Sequence, residues 1–238
     1  MKNSVFHPAD SRFFADHGWL KSAQTFSFHG NYDPKRIQFG ALRVLNDDIV
    51  HGGQGFGRHP HDNMEIISIP LQGTLEHQDS MGNVAVISPG EIQAMSAGTG
   101  IYHTEYNKDK AEAVSFLQIW LYPNELNVKP QYDQIDYSSG DRRNKFQQIL
   151  SPNADDEGVT IHQNAWFHLA ELEKDFETTY SIKDQENGIY TFLISGKIEV
   201  NGQLMQARDG YGIWPDSEVT FKSIEDAFVL VMEVPEKW

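Results

Sequence analysis

Met64-Glu65-Ile66-Ile67-Ser68-Ile69-Pro70-Leu71-Gln72-Gly73-Thr74-Leu75-Glu76 is a β-rich run that meets a glycine and resumes as a second strand. Gly188-Ile189-Tyr190-Thr191-Phe192-Leu193-Ile194-Ser195-Gly196-Lys197-Ile198-Glu199-Val200 repeats the pattern. β-Branched and aromatic residues suit a pleated, half-buried surface, and a glycine between two such runs marks a turn. Downstream of each glycine come a further strand and another turn, Ser88-Pro89-Gly90-Glu91 in the first half and Arg208-Asp209-Gly210-Tyr211 in the second. Any all-β protein carries punctuation of this kind, but the same order in both halves predicts a duplicated β-barrel.

Working outward, Arg36–Leu45 and Val114–Leu121 alternate as strands do, and Val219–Lys222 and Ala227–Val234 close the chain in the same style. Short helices are expected at Asp10–Asp16 and around Leu169–Lys174. The segment 122–144 is polar and turn-rich, with Pro123, Pro130 and Ser138-Ser139-Gly140. It reads as the connection between halves. The expectation is an all-β chain of two tandem β-barrels, an N-terminal one over 1–135 and a C-terminal one over 136–238.

A length of 238 residues suits two small β domains as well as one large one. With 39% hydrophobic and 22% charged residues, a packed core is expected and wholesale disorder is not. The formal net charge, 19 − 34 = −15, repels phosphate backbones and argues against direct nucleic-acid binding. The chain has no cysteine, which excludes disulfides, zinc fingers, iron–sulfur clusters and a thiol nucleophile, and fits a reducing compartment. Met1–His7 has no apolar core of signal-peptide length, and no stretch approaches the roughly 20 apolar residues of a membrane span. A soluble cytoplasmic protein is expected.

Two segments carry the chemistry: Gly57-Arg58-His59-Pro60-His61-Asp62-Asn63-Met64-Glu65 and Ala97-Gly98-Thr99-Gly100-Ile101-Tyr102-His103-Thr104-Glu105. Each presents two potential metal ligands with one residue between, His59 and His61 in the first, His103 and Glu105 in the second. On a strand, residues i and i+2 share a face. Two such strands side by side would aim three imidazoles and a carboxylate at one point, a donor set for a divalent transition metal with positions left for water or substrate. Among ten histidines one His-x-His pair can arise by composition, so the second pair is what favours a site. Pro60 cannot donate to a ladder, which places the first pair at a strand start or an edge.

Several neighbours compete for roles. Glu65, four residues after His61, would share its face on a continuous strand, as a second carboxylate ligand or as a hydrogen-bond partner of a liganding imidazole. His77, just before the Asp79-Ser80-Met81-Gly82-Asn83 hairpin turn, reads as a surface residue. His7, His17, His29, His51, His162 and His168 have no partner at ligand spacing. Phe116, Gln118 and Trp120 share one face of a strand and are candidate substrate contacts, although core packing is the stronger account of the two aromatics. No phosphate-cradling loop, dinucleotide fingerprint or nucleophile elbow is present.

The residues Phe39-Gly40-Ala41-Leu42-Arg43-Val44-Leu45-Asn46-Asp47-Asp48, Gly55-Phe56-Gly57-x-His59-Pro60-His61-x-x-Met64-Glu65 and Gly73-x-Leu75-x-His77-x-Asp79-Ser80-x-Gly82-Asn83 follow a known pattern. It continues through Pro89-Gly90-Glu91-Ile92-Gln93, Ala97-Gly98-x-Gly100-Ile101-x-His103-x-Glu105 and Leu117-Gln118-Ile119-Trp120. Through these the chain resembles the pirin family of bicupins, and within it the bacterial pirin-like branch with quercetin 2,3-dioxygenase activity. The match is dense in the first half and looser from Gly188 to Gly196 and at Asn201-Gly202. The resemblance implies two stacked cupin barrels and one metal held by His59, His61, His103 and Glu105. Iron(II) is the first expectation, with nickel, cobalt, manganese, copper or zinc as alternatives. Glu65 stands where cupins usually carry a motif glutamate. The second barrel is expected to be metal-free, with Tyr190, Phe192 and Ile194 where polar ligands would be needed. The implied activity is opening of a flavonol heterocycle by dioxygen with release of carbon monoxide, on a small aromatic substrate and with Glu105 as proton acceptor. The alternative is a metal- or redox-sensing protein without turnover that binds a transcription factor or a metabolic enzyme.

Overall fold

The computed structural model describes residues 4–215 and 217–237; Met1–Asn3 of the N-terminal segment lie outside them. In chain order the strands of the first half are β1 (Val5–His7), β2 (Phe13–Asp16), β3 (Leu20–Gln24), β4 (Leu42–Val50), β5 (Gly55–His61), β6 (Glu65–Gln72), β7 (Leu75–Asp79), β8 (Val84–Ile87), β9 (Glu91–Ser96), β10 (Ile101–Asn107), β11 (Val114–Leu121) and β12 (Gln131–Asp136). Then follow β13 (Gln147–Ser151), β14 (Val159–Thr160), β15 (Trp166–Leu172), β16 (Glu177–Ser181), β17 (Asn187–Ser195), β18 (Lys197–Val200), β19 (Gln203–Gln206), β20 (Gly210–Ile213), β21 (Glu218–Ser223) and β22 (Ala227–Pro235).

Each half is a seven-stranded sheet and a four-stranded sheet. The first half has the orders β12-β9-β6-β11-β4-β3-β2 and β5-β10-β7-β8, the second β1-β20-β17-β22-β15-β13-β14 and β16-β21-β18-β19. Strands β4 to β11 recur as β15 to β22 with the same neighbours, so the expected duplication is present as topology. The two strand–glycine–strand runs are β6–Gly73–β7 and β17–Gly196–β18, with Gly73 at φ 73° and Gly196 at φ 88°, conformations that side chains avoid.

The seven-stranded sheets meet in one shared core. Ile67, Ile69, Leu117, Ile119 and Leu121 from the first half pack with Phe167, Leu169, Tyr190, Phe192, Leu230 and Met232 from the second. Their strands are buried on both faces, which is why β6 and β17 read as near-continuous apolar runs. Each fully buried side chain of this size contributes about 1.5–3 kcal/mol, so the core joins the barrels firmly. Gly40, at φ 53°, lets the chain cross between them: a Cβ there would sit 2.2 Å from the Pro235 carbonyl oxygen. Ala41 N–H donates to that same oxygen at 2.9 Å.

The interiors of the two barrels differ. The second holds one continuous apolar cluster, including Tyr180, Leu193, Ile198, Val219, Phe221 and Val231. The first holds two small ones, Leu20, Val50, Leu75, Ile87, Val114 and Phe116 on one side and Ile66, Met95, Ala97 and Ile101 on the other. Buried polar residues Asn46, Asp48, Ser68, His77, Gln93, His103, Glu105 and Gln118 belong to the same barrel.

Several expectations are corrected. Of the helix expected at Asp10–Asp16 only a 3-10 turn at Ala9–Ser11 forms; Phe13–Asp16 is the edge strand of a hairpin, paired with Leu20–Gln24. Leu169–Lys174 is not helical, because Trp166–Leu172 alternates between the shared core (Phe167, Leu169) and the barrel interior (Ala170, Leu172). The strand expected at Arg36–Leu45 starts at Leu42, since Gly40 interrupts extended geometry. The segment 122–144 contains β12, which completes the first sheet against β9. The N-terminal strand β1 crosses the expected division at 135: it pairs with β20 of the second half, in the place that β12 fills in the first. Tyr190, Phe192 and Ile194 lie on the counterpart of β6 and in the shared core. The counterparts of β5 and β10, which carry the candidate ligand pairs, are β16 and β21, where Tyr180, Val219 and Phe221 face inward.

Candidate metal centre

β5 is the edge strand of its sheet and pairs with β10, placing His103 opposite His59, Tyr102 opposite Pro60 and Ile101 opposite His61. The edge position leaves the missing N–H of Pro60 without consequence. Ring centroids are 4.4 Å apart for His59–His103 and 4.9 Å for both His59–His61 and His61–His103. Potential ligand atoms of the three all lie within 4.8 Å of one another.

The hydrogen bonds set the ring tautomers. His59 Nδ1 is 2.7 Å from the Gly57 carbonyl, which only accepts, so Nδ1 carries the proton and Nε2 keeps the lone pair. Nε2 of His61 and of His103 are buried and meet no protein partner. Burial, then the neighbouring imidazoles, lower His61 to about 4 and His103 to about 3. The His61 and His103 rings are therefore neutral, which is the liganding form. Unpaired nitrogens this costly to bury and this close together fit a divalent transition metal.

His103 is held from behind. Its Nδ1 is 3.5 Å from His77 Nδ1, and His77 Nε2 is 3.2 Å from Asp79 Oδ2. The carboxylate accepts from His77 Nε2–H, which leaves His77 Nδ1 to accept from His103 Nδ1–H. The chain Asp79–His77–His103 thus directs the His103 lone pair at Nε2 into the site, as outer partners of metal-binding histidines do. Burial raises Asp79, but hydrogen bonds from Asn83, His77 and the Met81 backbone outweigh it and keep the carboxyl below its ordinary value. His77 is 0% exposed, so the surface reading is corrected. The signal was there: His77-x-Asp79 repeats the spacing of the two ligand pairs and lies on β7, paired with β10.

Glu105 lies beside this group but its carboxylate is not part of it. A register shift separates His103 from Glu105 on β10. Glu105 Oε2 accepts from Gln118 Nε2–H at 2.8 Å. The Ser68 hydroxyl, 3.0 Å from Glu105 Oε1 and 3.1 Å from Gln118 Oε1, has one hydrogen for two acceptors. Glu65 is turned away. Asn63, at φ 44°, breaks the strand between β5 and β6, so the continuous face required for a ligand role does not exist. Glu65 instead accepts from the Ser96 hydroxyl at 2.6 Å, and burial pushes it up to about 7.

A cavity of about 600 Å³ opens onto the His59 and His61 imidazoles, with Trp19, Phe28, Phe56 and Trp120 as apolar walls and Asn46, Asp48, Glu105 and Gln118 as polar ones. The Trp120 ring lies 4.9 Å from His61 and edge-on to it at 82°. Of the three candidate substrate contacts, Gln118 and Trp120 line the cavity, whereas Phe116 is packed in an apolar cluster. His29, to which the sequence assigned no role, also lines it and packs on Phe28 at 4.2 Å. Among the described residues no helix is long and apolar enough to cross a membrane.

A sequence model of the pirin family matches residues 7–121, and one of the quercetinase C-terminal cupin domain matches 148–234. Quercetin 2,3-dioxygenase of Escherichia coli K12 is 40% identical over 227 residues, 95% of this chain and 96% of that one. A pirin-like protein of Caulobacter vibrioides is 39% identical over 95% of this chain and 97% of its own. The crystal structure of the bacterial pirin YhhW of Escherichia coli in complex with nickel(II) superposes with a TM-score of 0.92, at 39% identity, over 98% of this chain and 99% of that one.

Proposed function

This chain belongs to the pirin family, and on that premise we propose that it is a metal-dependent dioxygenase opening the heterocycle of a flavonol of the quercetin type. Dioxygen is consumed and carbon monoxide released. The observation that carries this reading is the cluster of three imidazoles, two of them at the wall of an aromatic cavity, with a hydrogen-bonded carboxylate beside them.

In this reading His59, His61 and His103 hold one divalent ion per chain through their Nε2 atoms, with Glu105 as fourth ligand. Iron(II) is the first choice, and the nickel(II) complex of the relative supports a divalent ion. Bound there, the ion supplies Lewis acidity that lowers the pKa of a hydroxyl it binds. Glu105 accepts the proton of the flavonol hydroxyl. Gln118 and Ser68 hold its carboxylate in place for that transfer, and a positioned general base of this kind contributes typically about 10²–10⁴-fold. Trp120, Phe28 and Phe56 offer flat apolar surface to the rings and exclude water.

The test is oxygen uptake by metal-reconstituted protein supplied with quercetin and related phenols. Uptake with carbon monoxide formation supports the assignment. Full metal loading with no uptake on any flavonol would overturn it in favour of a metal-sensing interaction protein.

A further inference from the structure

The Glu233 carboxylate is buried on β22 and is met by donors on every side: Lys183 N–H at 2.9 Å, Asp184 N–H at 2.9 Å, Asn187 Nδ2–H at 3.0 Å and the Tyr180 hydroxyl at 2.9 Å. Tyr180 spends its one hydrogen there, so its oxygen accepts from His168 Nδ1–H, 3.3 Å away. His168, 4% exposed, therefore keeps its lone pair on Nε2, which has no hydrogen-bond partner among the described residues. Unlike Nε2 of His61 and of His103, this atom is not enclosed by protein. Burial, reinforced by Lys183, lowers the ring to about 3, so it is neutral and serves as an acceptor. His168 lines a cavity of about 520 Å³ together with Phe146, Lys183, Lys145, Asp141 and Glu157.

The place of this cavity in the fold is informative. Ile66 and Ile189 stand equally far before Gly73 and Gly196, and they pair with Trp120 and Glu233. Trp120 and Gln118 pair in turn with Val44 and Asn46, as Glu233 and Val231 do with Trp166 and His168. Glu233 thus takes the place of Trp120, and His168 that of Asn46, both of which line the metal cavity. We propose that the C-terminal barrel keeps a ligand site of its own at the corresponding mouth, where His168 and Lys183 recognise a small aromatic carboxylate that carries a hydroxyl. His168 offers only a lone pair, so the ligand must bring the donor. Lys145 is paired with Asp141, whereas Lys183 has no salt bridge among the described residues and is the charge that acts on the His168 ring; it is left for the carboxylate. Phe146, edge-on to Tyr180 at 5.3 Å, supplies an apolar wall for the aromatic ring. The site is independent of the metal and of the flavonol reading.

The experiment is NMR of zinc(II)-loaded protein carrying ¹⁵N-labelled histidine, titrated with 4-hydroxybenzoate, with benzoate and with phenol. Free wild type should show His168 protonated at Nδ1, and Tyr180→Phe should mix the two tautomers. 4-Hydroxybenzoate should move the His168 Nε2 resonance and bind about fivefold more tightly than benzoate, the worth of one hydrogen bond. Lys183→Met should weaken both carboxylates about threefold and leave phenol unchanged. In His168→Phe the preference over benzoate should fall below about twofold with benzoate affinity unchanged; a thermal melt identifies a variant that has not folded, and the wild-type titrations need no variant. His168 protonated at Nε2, no binding of 4-hydroxybenzoate, equal affinity for benzoate, or shifts confined to His59, His61 and His103 would each overturn the proposal.

Discussion

His77→Phe isolates the support behind His103. The substitution keeps a flat ring of similar size in a fully buried position that stacks 4.9 Å from Tyr132, and it removes both ring nitrogens. Asp79 keeps Asn83 Nδ2 at 2.8 Å and the backbone N–H groups of Met81 and Asn83, so the hairpin it caps should persist. His103 loses the acceptor that fixes its Nδ1 proton and its ring orientation. Loss of such an outer partner typically lowers metal affinity about 10–100-fold. The His77–His103 contact is long at 3.5 Å, which places the expectation at the lower end, about tenfold or about 1.4 kcal/mol. Calorimetric titration with nickel(II), with a chelator competitor, measures it. Affinity within about twofold of wild type would refute the supporting role. A loss as large as that of His103→Ala would refute it differently, by showing that His77 is itself a ligand.

Four further outcomes are expected. His59→Ala with His61→Ala should abolish metal uptake from one ion per chain, read by elemental analysis; undiminished metal would sink the assignment. Glu105→Gln, at matched metal occupancy, should lower turnover by about 100-fold or more while flavonol affinity changes far less; equal turnover would remove Glu105 as the base. Glu65 has its folded pKa raised from 4.5 to about 7, with burial as the largest cause. The folded state then holds a proton that the unfolded state has lost, so this contribution is present below about pH 4.5 and disappears as pH rises through about 7. Glu65→Gln should accordingly raise stability at neutral pH relative to acid pH, by roughly 3 kcal/mol at most, read from melts at both pH values, and a pH-independent effect would contradict the cause given. Phe192→Ala, in the core between the barrels, should cost about 3–5 kcal/mol and leave one cooperative melt; two separated transitions would show that the halves unfold independently.

Much of this protein is legible in its sequence because the relevant signals are local. Strand–glycine–strand runs follow from side-chain preference and positive φ, so both halves of the duplication could be read from Met64–Glu76 and Gly188–Val200. The i, i+2 spacing of His59 with His61, and of His103 with Glu105, fixes a shared face by strand geometry alone. What was not legible depends on which strand lies beside which. His77 was misread because nothing local says that β7 sits against β10 with its imidazole turned inward. Glu65 was given a face in common with His61 because the break at Asn63 is a backbone conformation, not a composition. Leu169–Lys174 has helix-compatible spacing, and only a sheet buried on both sides makes it a strand. Tyr190 and Phe192 were assigned to the wrong barrel wall for the same reason: a two-residue period gives two faces but not which one meets the other barrel. The sequence determined the strands, the duplication and the i, i+2 spacing of the candidate donors, all set by interactions over a few residues. The tertiary structure alone decided the strand crossing at β1 and the Asp79–His77–His103 chain, because burial and pairing arise between segments far apart in the chain.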